Sequence, residues 1–110
     1  MGEGADNMRA DMRVRPAALR RYVTKVLVAA GLAQDHAATM AESLVMADLR
    51  GTHSHGVIRL PFLVERLERG GARRDPQLRV LREAPATALL DGGQGLGAIT
   101  ATRAMEIAVE

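Results

Sequence analysis

Within twelve positions, Asp48-Leu49-Arg50-Gly51-Thr52-His53-Ser54-His55-Gly56-Val57-Ile58-Arg59 gathers two of the three histidines, two arginines, two hydroxyls and two glycines. Core-building segments rarely spend so many polar and flexible residues in so short a run. His55 and Arg59 form the strongest pair. Four residues apart on a helix, their side chains project from one face. Arginine offers a planar fork for a carboxylate, and a nearby imidazole exchanges a proton near neutral pH. In a 2-hydroxy or 2-oxo acid the carboxylate and the reacting oxygen sit on adjacent carbons, so this spacing suits that class. Loss of a charge-assisted contact such as Arg59 offers costs about 1.5–3 kcal/mol, on the order of ten- to a hundred-fold in binding. Taken alone, the same pair also reads as a helix-start histidine beside a solvated arginine.

Two other chemistries compete for attention. His53-x-His55 with His36 or Asp48 offers imidazole and carboxylate ligands for a metal. Residues two apart diverge on a helix, however, and no further ligand stands at a familiar spacing. Metal is set aside, with His53 as a bystander and His36 as a surface residue. Gly93-Gln94-Gly95-Leu96-Gly97-Ala98 fits the G-x-G-x-x-A dinucleotide spacing. The strands before it read as a hairpin, and no following strand or ribose-binding acid accompanies it. A flexible strand-to-helix connection is the stronger reading.

The elements that must carry these residues are legible around them. Pro16 suits the first turn of a helix, and Leu19, Val23, Val26, Leu27 and Ala30 follow at helical spacing. Gly31 ends that helix as a left-handed residue. Asp35 is placed to cap a second helix, whose stripe is Ala37, Met40, Ala41, Leu44, Val45 and Asp48, and Gly51 breaks it. A third pattern runs through Ile58, Leu60, Leu63, Val64 and Leu67 to Gly70-Gly71, with Pro61 forcing a start near Leu60 or a kink. Leu78 to Arg82 and Ala86 to Leu90 read as a strand pair around a turn at Glu83-Ala84-Pro85. A fourth helix starts near Leu96 with Ile99, Ala101, Met105, Ala108 and Val109 available for packing. Glu110 falls inside this last pattern, so the sequence reads as cut there. Residues 1–13 lack periodicity and read as a disordered lead.

Composition bounds the classes. The 110 residues allow one small domain, 47% hydrophobic and 25% charged, with Tyr22 and Phe62 as the whole aromatic complement. The core must therefore come from Leu, Val, Met and Ala, which leaves little margin over conformational entropy. A partner surface would help such a chain. The pI is near 9.9, but fifteen basic residues face thirteen acidic ones, mostly interleaved. That is weak support for nucleic acid. Without cysteine there is no disulfide framework or thiolate chemistry. No apolar run approaches a membrane span, and no signal region is evident. A cytoplasmic protein is the expectation.

The stretch from Asp48 through Leu60-Pro61 resembles the signature of the type-2 malate/L-lactate dehydrogenase family, which includes ureidoglycolate and sulfolactate dehydrogenases. Its pattern is an acid and Arg-Gly near a helix end, then Ser-His-Gly, two residues and Arg. Arg50-Gly51, Ser54-His55-Gly56 and Arg59 match it. The resemblance extends through Leu67-Glu68-Arg69-Gly70-Gly71, Ala86 to Gly92 and Ala104-Met105. It implies an α+β chain: three helices, a short strand pair and a helix, an incomplete part of a non-Rossmann fold. It further implies a homodimeric oxidoreductase moving a hydride between NAD or NADP and a 2-hydroxy/2-oxo acid. By the same resemblance residues 14–71 are the helical substrate-side region, and residues 72–110 start the cofactor domain. His55 is then the proton donor and acceptor, Arg59 the carboxylate anchor, and Ser54 and Arg50 supporting residues. Some members assign the base to a histidine farther along. Members also run to roughly three times this length, so the chain reads as an N-terminal fragment, inactive alone. Several carry Tyr where this chain has Leu63, which leaves the acid's identity open.

Two readings of other classes stand beside it. One is a small basic helical module that engages nucleic acid through Arg9, Arg13, Arg15, Arg20 and Arg21. The other is a non-catalytic remnant that associates with a full-length paralogue.

Overall fold

A computed structural model describes residues 12–110. The expectation of a disordered lead falls largely on residues 1–11, outside that range. The order is α1 (Pro16–Ala29), α2 (Gln34–Leu49), two 3-10 turns (His53–His55 and Val57–Arg59), α3 (Leu60–Glu68), β1 (Arg79–Ala84), β2 (Thr87–Asp91) and α4 (Gly97–Val109). This is the expected α+β sequence of elements.

Pro16 sits at the first turn of α1, where its missing N–H costs nothing. The helix ends at Ala30 and Gly31. The Leu32 N–H reaches back to the Leu27 carbonyl and the Gly31 N–H to Val28, at 3.1 and 3.0 Å. These two bonds satisfy carbonyls that the helix end would otherwise orphan. The same double closure ends α2 and α3, at Gly51 and Gly70. At Gly31 a long-range clasp is added, because Arg74 Nε donates to the Ala30 carbonyl at 2.8 Å.

The core is one cluster in which Val23 and Leu27 of α1 meet Ala37, Met40, Ala41 and Leu44 of α2, Leu60, Leu63 and Leu67 of α3, and Leu96 and Ile99. Tyr22 and Phe62 are both more than half exposed, so no aromatic ring enters it. Of the α1 stripe read from the sequence, Val23 and Leu27 are buried and Leu19, Val26 and Ala30 half-buried; the α2 stripe is buried from Ala37 to Val45, with Asp48 half-buried.

Four expectations are corrected. Asp35 does not cap α2: Ala33 holds that position, and Asp35 lies in the first turn, where its Oδ1 accepts the His36 N–H at 2.8 Å. There its charge still complements the positive end of the helix. Ile58 is 77% exposed, because α3 begins at Leu60 with Pro61 in its first turn and Ile58 lies in a 3-10 turn outside the stripe. In α4 only Ile99 is buried, while Met105 and Val109 point outward. Helical spacing found the face but not the length of helix that the core covers. The hairpin turn is Pro85-Ala86, with Glu83 and Ala84 inside β1.

β1 and β2 pair antiparallel, from Arg79 opposite Asp91 to Ala84 opposite Thr87. The register shifts between Val80 and Arg82, so Leu81 is bulged out of the ladder. All of β1 is exposed, and β2 packs against α4. The described chain measures 61 × 30 × 20 Å.

Candidate functional site

The candidate residues lie where α2 ends and the chain must turn into α3. Gly51 follows the last helical residues with φ 80°, a left-handed conformation that side chains with a Cβ resist. The chain then makes two 3-10 turns. Gly56 separates them in an extended conformation, so His55 and Arg59 do not share one helix face. That corrects the reasoning from helical spacing. The two residues are brought together differently, through Ser54. Its hydroxyl shares a 2.9 Å hydrogen bond with His55 Nδ1. Its carbonyl accepts the Arg59 Nε–H at 2.9 Å.

Each bond has a chemical consequence. With Nδ1 engaged, His55 has Nε2 left for an outside partner. With Nε engaged, Arg59 keeps both terminal nitrogens for a carboxylate, and no carboxylate among the described residues lies within ion-pair distance of it. Ser54, His55 and Arg59 are all exposed, so solvent screening pulls the value of the arginine contact toward its lower end. Arg50 is not part of the group. It closes α2 through its backbone N–H to Met46 and is exposed, with no side-chain hydrogen bond to the others.

Asp48 and His53 hold contacts that residue spacing does not predict. Asp48 Oδ1 accepts the His53 Nδ1–H at 2.8 Å, and Oδ2 accepts the Val57 backbone N–H at 2.9 Å. The Val57 N–H is the stronger influence holding the Asp48 carboxyl below the usual carboxylate value. The His53 ring adds to it, and partial burial opposes both. Gly56 is buried against this carboxylate, and a Cβ there would collide with it. His53 is therefore a loop contact and not a bystander. A cleft of about 490 Å³ opens beside Asp48 and His53, walled by Val14, Leu19, Val45 and Leu49.

His36 is also more than a surface residue: it is half-buried, and its Nδ1 is shielded without a partner among the described residues. Leu63 is buried in the core. Arg20 Nε lies 2.6 Å from Glu42 Oε2, an ion pair without the alignment of a hydrogen bond. That arginine is thus committed within the fold. Arg9, of the same basic group, lies outside the described residues.

The glycine-rich loop has a local explanation. Its preceding strands are the antiparallel hairpin, not a βαβ unit. A Cβ at Gly93 would meet the Gln77 backbone at 2.7 Å, and one at Gly95 would meet Pro76 at 2.6 Å. Gln94 is held with φ 61° while its carbonyl accepts the Arg73 N–H at 2.8 Å. Asp91 Oδ1 accepts the Gly93 N–H at 2.8 Å, which, ahead of nearby Arg79, holds the Asp91 carboxyl below its ordinary value. The glycines let the loop close on the Pro76-Gln77 segment.

Residues 14–110 match the malate/L-lactate dehydrogenase family. The chain belongs to that family. It is 41% identical over 99 residues to malate dehydrogenase of Pyrococcus horikoshii, covering 90% of this chain and 28% of that protein. Against the NAD(+) ureidoglycolate dehydrogenase of Escherichia coli K12 the identity is 38%, with the same two coverages. The solved structure of the Pyrococcus horikoshii OT3 malate dehydrogenase superimposes with a TM-score of 0.86 at 42% identity, over 89% of this chain and 28% of that one. The chain thus spans a little over a quarter of the length of these family members. The fold described above is a corresponding share of theirs.

Proposed function

We propose that this chain supplies the substrate side of an oxidoreductase that interconverts a 2-hydroxy acid and a 2-oxo acid with NAD or NADP. Residues 14–71 form that side, and residues 72–110 begin the cofactor domain. The observation that carries the reading is the double use of Ser54, which ties His55 Nδ1 and Arg59 Nε into one exposed group. Malate and ureidoglycolate, the acids in the names of two relatives, both carry a hydroxyl on the carbon beside a carboxylate. The terminal nitrogens of Arg59 grip that carboxylate as a fork. His55 Nε2 then stands to take the hydroxyl proton during oxidation and to return it during reduction. Ser54 orients the ring, and Arg50 lends positive charge nearby without touching the group.

A bound nicotinamide supplies the hydride acceptor in such a reaction. The glycines of the loop with dinucleotide spacing pack against Pro76 and Gln77, and the nicotinamide site is not placed on the described residues. We therefore propose that the 110 residues alone do not turn over. Reduction of NAD or NADP by the pure chain, with a panel of 2-hydroxy acids, would overturn that. A homodimer is part of the same proposal, as is a cytoplasmic site of action. Among the described residues no helix is long and apolar enough to cross a membrane.

The test is an NMR titration of the 110-residue chain with oxaloacetate and with succinate, which lacks the oxygen on C2. Shifts at Ser54, His55 and Arg59 that favour oxaloacetate, and vanish in Arg59→Ala, are expected. Equal responses to both acids, or a response indifferent to Arg59, would remove the reading.

A further inference from the structure

Between α2 and α3 the chain runs across the surface with little to hold it. Thr52, His53, Ser54, His55, Ile58 and Arg59 are exposed, and only Gly56 is buried. The backbone bonds inside the segment are local: His55 N–H to Thr52, Gly56 N–H to His53, Arg59 N–H to Gly56. Each closes its own turn. The Thr52 N–H, bonded to the Ala47 carbonyl at 2.8 Å, ties the start of the first turn to α2, but no backbone bond sets the second turn against the first or against α2. Yet the Ser54–His55 bond belongs to the first turn, and Arg59 reaches back to it from the second. Their geometry depends on how the two turns are set against each other.

One side chain spans all three pieces. Asp48, on the last turn of α2, holds His53 of the first 3-10 turn with one carboxylate oxygen and the Val57 N–H of the second with the other. Its own position argues that this is its purpose. A negative charge in the last turn of a helix faces the negative end of the helix dipole and is locally unfavourable. The carboxylate is tolerated there because two donors from the following segment turn toward it. Gly56, packed against the carboxylate where no Cβ fits, leaves the two arms room to close.

We propose that Asp48 is the positioning residue of this site, setting the two turns so that Ser54, His55 and Arg59 assemble as one group. It touches neither substrate nor reacting atom. The inference rests on the reading of those three residues as the site, but its readout does not need a ligand.

The experiment follows amide exchange and histidine ring nitrogen shifts in the ¹⁵N-labelled 110-residue chain. In Asp48→Ala the Val57 amide should exchange faster, on the order of ten- to a hundred-fold, as a bond to a charged acceptor is lost. The His55 Nδ1 signal should move toward that of an unbonded imidazole. Asp48→Asn, which keeps a carbonyl oxygen for Val57, should restore most of both. Glu42→Gln, an exposed acid on the same helix, should change neither. If Asp48→Ala fails to fold, His53→Ala removes only the exposed arm and decides the matter: movement of the His55 signal supports the proposal, and an unmoved signal overturns it. A folded Asp48→Ala chain with Val57 protected and His55 unchanged also overturns it. The oxaloacetate titration keeps the two readings apart, because ring shifts without acid binding would leave Asp48 as the loop's anchor and remove the assignment of the site.

Discussion

Replacing Gly56 with alanine tests the segment at its tightest point. The backbone conformation there, φ −91° and ψ −156°, is extended and open to any residue, so the substitution carries no left-handed strain. The added methyl would collide with the Asp48 carboxylate, which must swing away and release its partners. The Val57 N–H bond, 2.9 Å to a charged acceptor, contributes about 1.5–3 kcal/mol. The exposed His53 pair adds about 0.2–1 kcal/mol. Alanine gives back about 0.4–1 kcal/mol by restricting the unfolded chain. The net expectation is a loss of about 1–3 kcal/mol, or roughly 5–20 °C in Tm for a domain of this size. Thermal unfolding followed by circular dichroism at neutral pH measures it. Gly97→Ala, where a Cβ meets nothing within 4 Å, is the control and should not destabilise. In an Asp48→Ala background the cost of Gly56→Ala should disappear, since the atoms it strikes are gone. A cost that persists in that background, or a Gly56→Ala chain as stable as the parent, refutes the clash with Asp48 as the cause.

Other expectations follow from the same geometry. Because Val57 and His53 lower the Asp48 carboxyl below its unfolded value of 3.8, its contribution is fully present above that value and fades as pH falls through the folded one. Acid unfolding of Asp48→Asn should therefore lose less stability than the parent over that window, and parallel curves would contradict this. Gly31→Ala meets both a φ of 108° and the Arg74 side chain. It should cost about 1–2 kcal/mol or more by urea unfolding, and a neutral result would mean that the α1 terminus relaxes freely. Leu27→Ala empties a fully buried site and should cost about 2–5 kcal/mol by the same measurement.

The sequence exposed those features that depend on near neighbours. The stripes of α1 and α2, the glycine ends of three helices and the existence of a hairpin all follow from periodicity and turn chemistry. What escaped it depends on distance. Arg74 capping α1 from 44 positions away leaves no local trace, and neither does the packing of Gly93 and Gly95 against Gln77 and Pro76. At the site, residue types point to His55 and Arg59, but a shared helix face does not bring them together. A glycine interrupts the helix that would have aligned them, and a serine joins them instead. Asp48 was legible only in part: an acid at the wrong end of a helix is a local anomaly, and its partners five and nine residues on were the missing explanation.

Exposure shapes what this group can do unaided. Two unit charges 4 Å apart attract by about 1 kcal/mol in water but about 4 kcal/mol where the effective dielectric falls to 20. Arg59, His55 and Ser54 face open solvent, so a carboxylate bound to the described chain alone gains little, and salt screens it further. Proton transfer by His55 also asks for a ring held still and water kept out. The Ser54 bond supplies the first condition, and nothing in the described chain supplies the second. On the proposed function, the helical region prepares directions for a substrate: a fork for its carboxylate and a free Nε2 for its hydroxyl proton. On that reading the chain alone binds an acid weakly, and most of the binding energy comes from a cover over that face, under which the same three side chains act in a medium where their charges count.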